Sequence, residues 1–216
     1  MKLLVATRSA HKVREIRGLL ADVPGLQVLD LAEAGIPPAP EEDDLEPFDT
    51  FEENARSKAR YFHARSGLPT VADDSGLEVD ALGGAPGVHS RRFAPGDATG
   101  YERDLANNRH LLDRLAGVPD ARRNARYVCV AALEEGSGEG PVLRGTVEGR
   151  ITREPRGGGG FGYDPLFFVP ALGRTFGEAA AAEKEALSHR GVAFRALARL
   201  LRARTGADPA AGEGRA

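Results

Sequence analysis

A pair of adjacent carboxylates beside a hydroxyl is the part of this chain whose residue types are best suited to chemistry. The apolar run 68–72 is followed by Asp73, Asp74, Ser75 and Gly76. Because open α/β sheets place their functional groups at the carboxyl ends of strands, we expect a strand that delivers these acids to a turn. Mg²⁺ commonly takes one or two carboxylates there, together with substrate phosphates. The alternative is a solvated turn in which an aspartate caps the next segment.

A second polar segment, Thr7-Arg8-Ser9-Ala10-His11-Lys12, follows the first apolar run. A strand that turns into a helix at this point would present free backbone N–H groups and the positive end of the helix dipole, which together favour an anion. Lys12 lies one helical turn in and can reach a phosphate. The segment lacks the glycines of a P-loop. In the simpler alternative, Ser9 caps the helix and the cations are solvated.

A glycine run, 157–160, leads into Phe161, Gly162, Tyr163 and Asp164. The letters match a dinucleotide-binding pattern, but Pro165 and a predicted strand follow where that pattern requires a helix, so we reject it. Aromatic rings between glycines can stack on a nucleobase. A flexible hinge is the alternative.

The last predicted helix begins with two basic side chains. Ser188 is a suitable N-cap, and His189 and Arg190 occupy the first turn, where helices prefer acids. This placement is unfavourable unless an anion or acceptor compensates for it, which indicates a functional role. Lys184 adds a donor nearby. An exposed basic turn is the alternative.

These segments are positioned by elements that alternate between strands and helices. Apolar spacing predicts helices at 10–20, 48–66, 99–115 and 188–204, and strands at 3–6, 26–29, 68–72, 125–133, 142–151 and 166–169. Phe51, Ala55, Ala59 and Phe62 form the apolar stripe of the second helix. This order predicts a mixed α/β sheet with flanking helices, formed by one domain over 1–204. We expect the small, polar segment 205–216 to be disordered.

Composition excludes several classes of function. The chain has 216 residues and a formal net charge of −3, which argues against a protein that binds nucleic acid through a basic surface. Its single cysteine, Cys129, lies in an apolar run and fits a reducing cytosol. The N-terminal apolar run is too short for a signal peptide, and no run approaches the length of a membrane span. We therefore expect a cytoplasmic protein that binds neither nucleic acid nor membranes.

In combination, the motifs resemble the inosine triphosphate pyrophosphatase family, which includes the bacterial XTP/dITP diphosphatases. They appear in the family's order between residue 3 and about residue 200. The matching segments are Thr7 to Lys12, Thr50–Ala55, Ala72–Leu77, Leu82–Gly87, Phe161–Pro165, and Glu183-Lys184 with Ser188-His189-Arg190.

The resemblance implies an elongated mixed β-sheet with flanking helices, in two lobes around a central cleft, and usually a homodimer. It implies Mg²⁺-dependent hydrolysis of ITP, dITP and XTP to the monophosphate and pyrophosphate, which cleanses the nucleotide pool. By the family pattern, Asp74 is the proton acceptor and a metal ligand, and Glu46 is a second metal ligand. Because successive side chains of a strand point to opposite faces, we expect Asp73 to support the metal side and not to share the role of Asp74. The implied substrate-binding residues are Thr7, Arg8, Ser9, Ala10, His11, Lys12, Ser75, Phe161, Gly162, Tyr163, Asp164, Lys184, His189 and Arg190.

Two positions depart from the family pattern. Ser9 stands where the family usually has Asn, and Glu185 stands where Asn often follows the lysine. We expect these changes to alter affinity and not to abolish activity. A pyrophosphatase of the Maf-like group is the alternative enzyme, although its first loop usually reads Ser-x-Ser-Pro-Arg-Arg. A nucleotide-binding protein without turnover is the alternative that is not an enzyme.

Overall fold

The computed structural model describes residues 1–136 and 138–204, and its centre is a seven-stranded sheet. The strands are β1 Lys2–Val5, β2 Gln27–Leu29, β3 Thr70–Val79, β4 Asn124–Glu134, β5 Val142–Ile151, β6 Phe167–Val169 and β7 Arg174–Thr175. Their order in the sheet is β2-β1-β3-β4-β5-β6-β7. Strand β1 pairs in parallel with β2 and with β3, whereas β6 pairs antiparallel with β5 and with β7. The predicted mixed sheet with flanking helices is confirmed.

The helices are α1 Ala10–Leu20, α2 Phe51–Ser66, α3 Gly100–Arg114, α4 Ala181–Leu187 and α5 His189–Arg204. Short 3₁₀ turns lie at Pro40–Asp44, Asp80–Leu82, Gly87–Arg92 and Asp120–Arg122. In the part of the chain that the structure describes, none of the helices has both the length and the apolar character needed to cross a bilayer.

Capping side chains set the ends of the first two long helices. The Ser9 hydroxyl accepts a hydrogen bond from the Lys12 N–H, so α1 begins at the predicted residue. The Thr50 hydroxyl accepts from the Glu53 N–H, and α2 therefore begins three residues later than the predicted start at 48. This helix ends where Gly67 adopts a left-handed φ of 66°.

The chain forms two compact units, which share no segment. Of the described residues, unit 1 comprises 1–74, 130–136, 138–144 and 190–204, and unit 2 comprises 75–129 and 145–189. The buried side chains of unit 1 include Leu3, Leu4, Ile16, Leu20, Phe51, Ala55, Phe62, Phe194, Leu197 and Leu201. The core of unit 2 is built from Leu77, Val79, Leu111, Leu115, Tyr127, Phe167, Phe176 and their neighbours. The single domain over 1–204 stays a prediction, and the predicted tail 205–216 lies outside the described residues.

The prediction that the adjacent acids lie at a turn is wrong. Strand β3 continues without interruption from Thr70 through both aspartates to Val79. Both carboxylates are buried, Asp73 being 2% exposed and Asp74 7% exposed. Buried carboxylates are tolerated inside a strand when cations and hydrogen-bond donors face them, and such partners are present here. The acids are therefore held on a central strand of the sheet.

Candidate active site

The two aspartates of β3 contact different partners within unit 1. Asp74 Oδ2 accepts a hydrogen bond from Asn54 Nδ2 at 3.1 Å. Asp73 Oδ2 lies 2.9 Å from Lys12 Nζ and 3.4 Å from the guanidinium of Arg190. Neighbouring side chains of a strand point to opposite faces, which explains the division. Asp74 therefore faces helix α2, while Asp73 faces the cations of α1 and α5.

Lys58 contacts both the Glu46 carboxylate and the backbone of Asp73. Its Nζ lies 2.5 Å from Glu46 Oε1 and donates to the backbone carbonyl of Asp73 at 2.5 Å. Helix α2 presents Lys58 on the same face as Asn54, because the two residues are one turn apart. We call Glu46, Asn54, Lys58, Asp73 and Asp74 the carboxylate cluster.

Sequence reasoning missed Lys58 and Asn54. The sequence feature that could have identified them is their spacing of four residues, which places both polar side chains beside the apolar stripe of α2. Both side chains lie on the side of the helix that faces β3, where Asn54 is 1% exposed. A buried Asn and a Lys at this spacing predict a polar contact within the fold, but the sequence does not say with which residue.

The charges of the carboxylate cluster shift its pKa values. Burial raises the pKa of the Asp74 carboxyl, and the negative charge of Glu46 adds to this, against the opposing charge of Lys58. Burial disfavours the charged form of Lys58, but Glu46, Asp74 and Asp73 outweigh it and raise the lysine's pKa. Asp74 is therefore the more basic aspartate, and Lys58 stays cationic.

Asp73 shows the opposite behaviour. Burial opposes its ionisation, but the positive charges of Lys12, Arg190 and Lys58 outweigh burial and hold the pKa of Asp73 well below its usual range. It therefore stays an anion that neutralises cations within unit 1. Its predicted part on the metal side stays a prediction.

The segment Thr7 to Lys12 forms the start of α1. The Thr7 hydroxyl accepts a hydrogen bond from the Ser9 N–H. Arg8 pairs with Glu42 at 2.6 Å and donates to the carbonyls of Ile36 and Pro37. These contacts hold the loop that precedes Glu46 against the start of α1. Ala10 and His11 are exposed, and Arg14 contacts the His11 ring. Of this segment, Lys12 makes the direct contact with the carboxylate cluster.

Residues Phe161–Asp164, which we call the aromatic loop, belong to unit 2. Asp164 Oδ2 accepts from the Phe161 N–H at 2.8 Å and from Lys184 Nζ at 2.5 Å. Lys184 Nζ also lies 4.4 Å from the centre of the Phe161 ring. Gly160 has a φ of 75°, and a Cβ there would lie 2.0 Å from Asp164 Oδ2, so the loop requires glycine at this position. The glycine run leads into this loop and then β6, with no helix between them.

The His189 ring stacks on the ring of Tyr127, a residue that the sequence did not predict to belong to the site. The centres of the two rings lie 4.8 Å apart, with the planes 10° apart. The Tyr127 hydroxyl donates to Asp164 at 3.4 Å, and burial together with the Asp164 charge raises the pKa of Tyr127. No sequence signal separates Tyr127 from the other apolar residues of β4.

The predicted site residues therefore fall into two groups. Lys12, Glu46, Asp73, Asp74 and Arg190 come together in unit 1, where Arg190 also donates to Glu15. The aromatic loop, Lys184 and His189 come together in unit 2, to which Ser75 also belongs. Ala10 and His11 also lie in unit 1, exposed at the start of α1.

Comparison with known proteins shows the family of the chain. The Ham1 family model matches residues 3–200. The chain belongs to the Ham1 family. Two relatives named dITP/XTP pyrophosphatase, from Symbiobacterium thermophilum and Exiguobacterium sibiricum, are 51% and 48% identical to it. The alignments cover 93% of this chain and 93% of the first relative, and 91% of this chain and 95% of the second.

Solved Ham1 structures share the fold. The HAM1 protein of Coxiella burnetii has a TM-score of 0.82 at 38% identity, covering 94% of this chain and 99% of that one. The Ham1 protein of Staphylococcus aureus has a TM-score of 0.80 at 32% identity, covering 94% of this chain and 100% of that one. The family resemblance predicted from the motifs is confirmed.

Proposed function

We propose that this protein hydrolyses non-standard purine nucleoside triphosphates, namely ITP, dITP and XTP, to the monophosphate and pyrophosphate. The names of its Ham1 relatives support this substrate class. The observation that carries the proposal is the carboxylate cluster. It contains a buried aspartate of raised pKa, Asp74, beside the half-buried Lys58 and a second carboxylate, Glu46.

The donor set fits Mg²⁺. Glu46 and Asp74 lie close enough for the charge of one to raise the pKa of the other, and two such carboxylates favour a cation between them. Within residues 1–136 and 138–204, no group of three or more His, Cys, Asp and Glu side chains could hold a metal. Mg²⁺ usually takes only one or two carboxylates and completes its shell with water and substrate phosphates. When bound, the ion would neutralise charge on the phosphate oxygens.

The protein's own residues supply the remaining steps. Asp74 accepts the proton of the water that attacks the α-phosphorus, and its raised pKa makes it a better base than an exposed aspartate. Asn54 holds its carboxylate in place through the hydrogen bond to Oδ2. Lys12 and Lys58 supply positive charge, which stabilises the negative charge of the triphosphate and of the leaving pyrophosphate.

We assign recognition of the base to the second group of residues. Phe161 offers an aromatic face for stacking, and His189 offers a ring N–H to the 6-keto oxygen of hypoxanthine or xanthine. Adenine carries a 6-amino donor at the same position, so a donor in the site would lose its partner. A site built on such hydrogen bonds rejects the mismatched base by orders of magnitude. The homodimer and the cytoplasmic location stay predictions.

A substrate panel tests the proposal. We expect pyrophosphate release with Mg²⁺ from ITP, dITP and XTP, and little from ATP and GTP. Preference for other nucleotides would favour the Maf-like alternative. Tight binding of ITP without release of pyrophosphate would favour the alternative of a nucleotide-binding protein without turnover. Ser9→Asn would then be the first substitution to test for restored activity.

Lys58→Met should lower kcat for ITP by about 100-fold, because the stem of the side chain remains while its charge is lost. Lys2→Met makes the same change at an exposed position of β1 and should leave kcat unaltered. Steady-state pyrophosphate release measures both. Equal kcat in the two variants would remove Lys58 from the chemistry.

A further inference from the structure

Two side chains of helix α3 hold the backbone of one residue of the aromatic loop, Gly162, on both sides of its Cα. Asp104 Oδ2 accepts a hydrogen bond from the Gly162 N–H at 2.8 Å. Asn108 Nδ2 donates to the Gly162 carbonyl at 3.0 Å. Asp104 and Asn108 are four residues apart, so they lie on the same face of the helix. All three residues belong to unit 2.

Gly162, the residue held by Asp104 and Asn108, has a backbone conformation that other residues rarely adopt. Gly162 has a φ of 61°, in the left-handed region, although a Cβ placed there would meet nothing within 4 Å. Glycine is therefore required by its backbone angle and not by lack of space. Glycine also has the most conformations to lose on folding, so hydrogen bonds to the peptide groups on either side of Gly162 help to hold its backbone angles.

These backbone angles determine where the neighbours of Gly162 lie. Phe161 precedes Gly162 and donates its N–H to Asp164 Oδ2, which also accepts from Lys184. The hydroxyl of Tyr163, which follows Gly162, donates to the carbonyl of Ser90 in the turn Gly87–Arg92. A change in the backbone angles of Gly162 would therefore move the Phe161 ring relative to Lys184, which lies over it.

The hydrogen bond from Asn108 to the Gly162 carbonyl is accompanied by a loss of stability elsewhere in the Asn108 side chain. The residue is 6% exposed, and its Oδ1 has no hydrogen-bond partner among the described residues. A buried acceptor without a partner lowers stability. An apolar side chain would avoid this cost but could not donate to Gly162. The hydrogen bond to the loop thus accounts for the amide at this position.

We propose that Asp104 and Asn108 are positioning residues that fix the aromatic loop for binding of the purine base. The inference rests on the proposed function, since it concerns affinity for the same substrate. Neither residue contacts the reacting phosphates in this scheme. Their loss therefore weakens substrate binding and leaves the chemical step in place.

Kinetics of four variants test this. Asp104→Ala and Asn108→Leu should raise KM for ITP about tenfold while kcat changes by less than about threefold. Asp104→Asn should restore a KM near that of the wild type, because its amide oxygen can still accept from Gly162. Asp113→Ala removes an exposed carboxylate from the same helix and should change neither constant.

Hydrogen exchange at the Gly162 amide provides a readout without substrate. Exchange should accelerate in Asp104→Ala and return to the wild-type rate in Asp104→Asn. Asn108→Leu carries the kinetic test if Asp104→Ala does not fold. An unchanged KM in both folded variants, with wild-type activity intact, would overturn this inference alone. Failure of the wild type to act on ITP would instead overturn the proposed function, and this inference with it.

Discussion

Asp74→Asn lowers kcat for ITP by about 10²–10⁴-fold, the contribution typical of a positioned general base. The amide cannot accept the proton of the attacking water. The substitution also removes one of the two carboxylates proposed to hold Mg²⁺. The fold should persist, because an amide oxygen at this position can still accept from Asn54 Nδ2, which lies 3.1 Å from Asp74 Oδ2.

The matched control is Asp80→Asn. Asp80 lies in a 3₁₀ turn, and its side chain is 45% exposed in a surface pair with Arg126. Its replacement should leave kcat within about twofold of the wild type. Pyrophosphate release at saturating ITP and Mg²⁺ measures both variants. If Asp74→Asn retained activity similar to that of Asp80→Asn, the assignment of Asp74 as proton acceptor would be wrong.

Arg190→Ala lowers the free energy of unfolding by about 3–5 kcal/mol, the usual cost of breaking a buried ion pair from one side. The side chains of Arg190 and Asp73 are 2% and 1% exposed, so water cannot replace the lost guanidinium. Lys12 and Lys58 would then have to compensate for the charge of the buried Asp73 carboxylate without the guanidinium. The Glu15 carboxylate, which also accepts from Arg190, would lose its partner too.

Urea denaturation measures this loss, with Arg153→Ala as control. Arg153 pairs with Asp120 at the surface, where the two side chains are 62% and 68% exposed. Exposed pairs contribute little, so the control should change stability by less than about 0.5 kcal/mol. If Arg190→Ala had an equally small effect, the ion pairs of Arg190 would not stabilise unit 1. Its assignment to the substrate would then gain support.

Local sequence signals located most of the fold. Helix α1 has the predicted bounds Ala10–Leu20, and strand β5 has the predicted bounds Val142–Ile151. The stripe of Phe51 and its partners on α2 is buried as predicted. Helix α4 and strand β7 were not predicted, because elements of seven and two residues are too short to show a period.

The strand that carries the acids illustrates the limit of local signals. Asp and Gly are depleted in strands, so the pattern around Asp73 predicts a turn. The strand continues because Lys12 and Arg190, 61 residues before and 117 residues after it, bring their charges to Asp73. Asn54, which lies 20 residues before Asp74, donates a hydrogen bond to its carboxylate. Pairing with distant residues therefore overrode local propensity.

The amino-acid sequence by itself determined the family, the mixed α/β class and the chemical types of the site residues. These depend on motif order and on apolar periodicity, which are local properties of the chain. Only the tertiary structure decided which aspartate faces which partner, that Lys58 and Asn54 join the carboxylates, and that Asp104 and Asn108 hold Gly162. The physical reason is that hydrogen bonds and pKa shifts depend on distances between side chains. Those distances are set by packing between segments far apart in sequence.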